Sequence, residues 1–67
     1  MTPAEIFDAY NTNLNNLSVL YGQLQVYMDD WSIMPTNVKT VLKTRMTGVI
    51  DTAITDLTTI KNELTNS

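Results

Sequence analysis

The first half of the chain carries large apolar residues at alternating steps of three and four. Phe7, Tyr10, Leu14, Leu17, Tyr21, Leu24, Met28 and Trp31 form an unbroken heptad seam over four repeats. The pattern predicts a helix over about 3–31. Ile6, Leu20 and Tyr27 widen the stripe on one side, beyond what a two-stranded zipper needs. The start is marked as well. Thr2 can cap, Pro3 suits the first helical position, and Glu5 can close a capping box back onto Thr2. The end is predicted at Ser32–Thr36, where Pro35 opposes continuation and pushes Met34 toward extended geometry.

The second half keeps a different period. Val38, Leu42, Met46, Val49, Ala53, Leu57, Ile60 and Leu64 recur at steps of four, four and three. Eleven residues over three turns is close to the period of a straight helix. This predicts a second helix over about 37–65, capped by Thr36 or Asn37. Its far side inherits the same spacing as a stripe of Thr36, Thr40, Thr44, Thr47, Asp51, Thr55, Thr58, Asn62 and Thr65. The threonine repeat is thus the back of a helix whose front sets the rhythm. The spacing resembles that of alanine-rich antifreeze helices, but this chain has only Ala4, Ala9 and Ala53, and its threonine face includes Asp51.

Together these elements predict an all-α fold: one domain over residues 1–67, an antiparallel two-helix hairpin completed into a helical bundle by self-association or by a partner. Pairing about the turn places Met28 near Lys39, Leu24 near Leu42, Tyr21 near Met46, Leu17 near Ile50, Leu14 near Ala53, Tyr10 near Leu57 and Phe7 near Ile60. Gly48 then makes room for Tyr21. Asp29 and Asp30 sit unfavourably at the end of one helix dipole, and Lys39 and Lys43 near the start of the other. Across the turn they are expected to neutralise each other. The two helices differ in period, so a bundle with broad contacts suits them better than one regular coiled coil.

A chain of 67 residues buries only about 60% of its unfolded surface when it folds alone. It has no cysteine to staple the fold and no histidine for the usual zinc or iron sites. A single hairpin seam leaves Ile6, Leu20, Tyr27, Trp31, Ile50 and Ile54 wet, which makes association the expectation.

Candidate chemistry is sparse. Asp29 and Asp30 are the only adjacent carboxylates, and neighbours on a helix point about 100° apart. No glycine-rich phosphate loop is present, and no histidine activates a hydroxyl. The expectation is no enzyme, no cofactor and no metal. The net charge of −3 argues against a grip on nucleic acid, for which only Lys39, Lys43, Arg45 and Lys61 are available. No apolar run approaches the roughly 20 residues of a membrane span. Glu5 and Asp8 stand where a secretory signal would be basic. The expected location is the cytoplasm or a viral particle.

Charged residues make up 16% of the chain, against about 25% in ordinary soluble domains. From Ala9 to Met28 there is none. Asparagine and threonine give up helix propensity but offer a neutral surface that packs without stranding a charge. The predicted partner interface is therefore Ile6, Leu20, Tyr27, Trp31, Ile50 and Ile54 on the apolar side, with Val19, Val26, Thr44, Thr47, Thr55 and Thr58 on the neutral backs. The function expected from this is a non-enzymatic assembly or accessory subunit working through helix packing, such as a small viral or phage structural protein. The alternative is a soluble dimeric bundle that inhibits another protein or binds a nucleic acid.

Overall fold

A computed structural model describes all 67 residues, Met1–Ser67. The chain forms helix α1 (Pro3–Asp30), a 3-10 turn (Trp31–Ile33) and helix α2 (Thr36–Thr65), with no strand. The two helices pack on each other as a hairpin with principal extents of 49 × 14 × 12 Å. Its radius of gyration is 15.2 Å, against about 11 Å for a compact domain of this length.

The start of α1 is built as its residues suggest. Thr2 is extended, its hydroxyl accepts from the Glu5 backbone N–H at 3.2 Å, and the Thr2 N–H donates to the Glu5 carboxylate at 2.9 Å. The second of these, the Thr2 backbone N–H on the carboxylate, favours its ionised form and holds the Glu5 pKa below its ordinary value. At the turn, Met34 is extended ahead of Pro35. The cap of α2 is Pro35 itself, not Thr36 or Asn37, and no side chain caps the helix. Proline's fixed φ of −60° leads straight into the first turn, which starts the helix one residue before Asn37.

Three contacts close the hairpin. The Met1 ammonium meets the Glu63 carboxylate at 3.0 Å. The Asn13 side-chain amide donates to the Ala53 carbonyl at 3.3 Å. Beside the turn, Lys39 lies 5.1 Å from the Trp31 ring centroid, and Tyr27 packs on the same ring at 4.8 Å. The expected pairing of Asp29 and Asp30 with Lys39 and Lys43 does not form; the Met1–Glu63 pair is the only ion pair. Lys39 is half-buried over Trp31 instead, where its charge meets the ring face.

The seam is narrow. Only Asn13, Met46, Ala53 and Ile60 are buried. Ile6, Ala9, Leu17 and Leu20 from α1, Trp31 from the turn, and Leu42 and Val49 from α2 are half-buried around them. This corrects the expected layers. Leu17 and Trp31 join the seam, while Phe7, Tyr10, Leu14, Tyr21, Leu24 and Met28 face outward. Val38, Leu57 and Leu64 of α2 are also exposed. Gly48 makes room for nothing: no atom lies within 4 Å of where its Cβ would stand. The physical reason is size. Asn13 against Ala53, and the small Ala9 beside Ile60, allow close approach of the two backbones, and a stripe of tyrosines there would hold them apart.

Candidate protein–protein interface

Helix periodicity sorts the surface into faces. At about 100° per residue, Asn16 and Gln23 lie on one flank of the α1 seam. They line an open groove together with Thr44, Arg45, Gly48, Val49 and Thr52 of α2. Since both helices contribute, these flanks share one face of the hairpin. By the same count, Phe7, Tyr10, Leu14, Tyr21, Leu24 and Met28 lie on the opposite flank of α1, and Ile50, Ile54, Leu57 and Leu64 on the opposite flank of α2. The hairpin therefore has one polar face and one face that is apolar along α1 and, along α2, mixes Ile50 and Ile54 with Lys39, Lys43 and Lys61.

The apolar face is extensively exposed. Phe7 is 65% exposed, Tyr21 66% and Met28 73%. Monomeric soluble proteins rarely leave so long a run of large apolar side chains in water, and such patches mark interaction sites. The polar groove is a poor ligand site by comparison. It is wide open, with one apolar residue among its seven, whereas small-molecule sites are enclosed and mostly apolar.

The residues singled out in the sequence fall in different places. Ile6, Leu20 and Trp31 are half-buried between the helices, and Tyr27 is partly exposed at the turn end, packed on Trp31. Ile50 and Ile54 lie exposed on the apolar face. Val19 and Val26 are exposed on the groove side of α1. Thr44, Thr47, Thr55 and Thr58 are exposed on the back of α2. The structure does not join these twelve into one surface. The face that residue periodicity did not assign to a partner is the heptad stripe of α1. Its signal was present in the mismatch between a 3.5-residue and a 3.67-residue period, since two helices in continuous contact share one.

The threonine hydroxyls are engaged within the helix. Thr40, Thr44, Thr47, Thr58, Thr59 and Thr65 each donate to the carbonyl four residues earlier, at 2.7–3.1 Å. That bond uses the hydroxyl proton and leaves the methyl as the group most available to a neighbour. The back of α2, with Asp51 as its one charge, is accordingly less polar than its composition suggests.

No group of three acidic side chains stands close enough to hold a metal ion. No helix is long and apolar enough to cross a membrane. No protein-family model, curated protein or solved structure matches the chain.

Proposed function

We propose that this chain is a non-enzymatic assembly or accessory subunit that works by packing its helices against other protein surfaces, as in an antiparallel hairpin completed into a bundle. One observation carries the reading: four residues are buried, while the whole outer stripe of α1 from Phe7 to Met28 is exposed. The uncharged run from Ala9 to Met28 and the methyl-presenting back of α2 supply further neutral surface for neighbours. Small viral or phage structural proteins have this economy of length and charge. A soluble regulator that blocks another protein is the second reading, favoured by the length of the apolar face, which suits a discrete bundle.

Circular dichroism melts over a dilution series test the association reading. The expected result is a transition that falls in temperature as the chain is diluted, because partners stabilise by mass action. A sharp transition independent of concentration, with no partner present, refutes it.

A further inference from the structure

We propose that the heptad stripe of α1 pairs with the same stripe of a second copy, running antiparallel to it, in a two-fold symmetric four-helix bundle. This deepens the association reading above by naming the partner, the surface and the register.

Three observations select a second copy. The first is area. A folded monomer of 7.5 kDa exposes about 4,250 Å², and the hairpin exposes 4998 Å². The excess is close to the roughly 800 Å² that each partner contributes to a standard interface.

The second is period. A strict heptad repeat matches a helix that carries the same repeat. Helix α2 does not carry it, and the hairpin uses the α1 heptad only at Leu17 and Trp31. The remaining six positions are exposed. A second α1 has the matching period by construction.

The third is charge. A symmetric contact sets like groups near one another, and like charges oppose it. Residues 9–28 contain none, and the lysines of the same face, Lys39, Lys43 and Lys61, stand on α2 and not on the α1 stripe.

Direction follows from side-chain size. In a parallel pair each residue meets its own copy, which stacks Tyr10 on Tyr10 and Tyr21 on Tyr21. In an antiparallel pair centred on Val19, Tyr10 meets Met28 of the second copy, Leu14 meets Leu24, and Tyr21 meets the side of Leu17 that the hairpin leaves uncovered. These three layers each join a tyrosine to a slimmer aliphatic side chain, or two leucines, and only the outermost layer, Phe7 with Trp31, joins two aromatics. By symmetry every layer occurs twice. Ile50 and Ile54 on the neighbouring helix cover the edge of this seam. The threonine back of α2 stays outward, free for further neighbours.

The test uses the full chain in light scattering coupled to size exclusion, together with disulfide trapping. The chain has no cysteine, so introduced thiols report cleanly. The wild type is expected at twice the chain mass. Tyr21→Glu is expected to reduce it to the chain mass, and Thr40→Glu on the back of α2 to leave it unchanged. Mixing Leu14→Cys with Leu24→Cys chains is expected to give a mixed disulfide, while Leu14→Cys alone does not cross-link. Cα atoms must come within about 7 Å for a bridge, and two copies of position 14 lie about 15 Å apart in this register.

A dimer that cross-links through Leu14→Cys alone, or that survives Tyr21→Glu, overturns the proposal while leaving the association reading standing. So does a weakly helical monomer, which points to a different partner. A sharply melting monomer overturns both.

Discussion

Asn13 is the one polar side chain sealed inside the hairpin, with no exposed surface at all. Its amide donates a long bond of 3.3 Å to the Ala53 carbonyl, and its Oδ1 has no partner. Asn13→Ala tests what that arrangement costs. The substitution loses about 0.5–1 kcal/mol of net hydrogen bond and about 1 kcal/mol to the small cavity left behind. It recovers about 1–3 kcal/mol by removing an unsatisfied buried acceptor and about 0.5 kcal/mol of helix propensity. The balance favours the variant by about 1 kcal/mol, or a rise of roughly 4–8 °C in Tm. Thermal and urea denaturation at matched protein concentration reads the difference, since association makes Tm depend on concentration. A loss of more than about 1 kcal/mol would refute the reasoning, because it would mean that Oδ1 is satisfied in solution and the seam is not dry. The companion variant Asn13→Asp places an unpaired charge in the same spot. It is expected to lose helix at neutral pH and regain it on acidification. Asn13→Ala should also blur the pairing register, seen as extra amide resonances, since a lone buried polar group favours one alignment.

Ile60→Ala, at a buried position, should cost about 2–5 kcal/mol and leave little helix by circular dichroism at low concentration. Gly22→Ala and Gly48→Ala stand in helix interiors with nothing within 4 Å of the new methyl. Each should stabilise by up to about 1 kcal/mol in urea melts, and a destabilised Gly48→Ala would place a packed neighbour against that site. Thr2→Ala removes the hydroxyl half of the capping box, the bond accepted from the Glu5 N–H, and leaves the backbone half intact; it should lower stability by about 0.5–2 kcal/mol. The open end of the hairpin should also respond to pH. The Met1 ammonium is held above its ordinary value of 8.0 by its hydrogen bond to Glu63. Its contribution is complete below pH 8 and is lost as pH rises through the higher folded value. Glu5 is held below 4.5 by the Thr2 backbone bond, so its contribution is complete above pH 4.5 and is lost as pH falls further. Amide protection near Glu5 and Glu63, taken as the ratio of intrinsic to observed exchange rate at each pH, should be greatest between these limits, and Glu63→Gln should flatten the alkaline side.

Much of this architecture is written in local residue choices. Thr2, Pro3 and Glu5 begin α1 because their capping chemistry involves only neighbours within one turn. Pro35 ends the turn for the same local reason, and the apolar rhythm from Val38 to Leu64 predicts α2 along its whole length. Contacts between helices are another matter. Residue spacing shows that Phe7, Tyr10, Leu14, Tyr21, Leu24 and Met28 share a stripe, but not what the stripe faces. That is decided by how closely two backbones can approach. Ala9, Asn13 and Ala53 let α1 and α2 come together on a neighbouring stripe, and the heptad turns outward as a result. The fate of Asn13 illustrates the limit best. In the sequence it is one of several asparagines in an uncharged run. Only the packing of α2 across it makes it the most buried residue in the molecule, because burial belongs to the pair of surfaces and not to either helix alone.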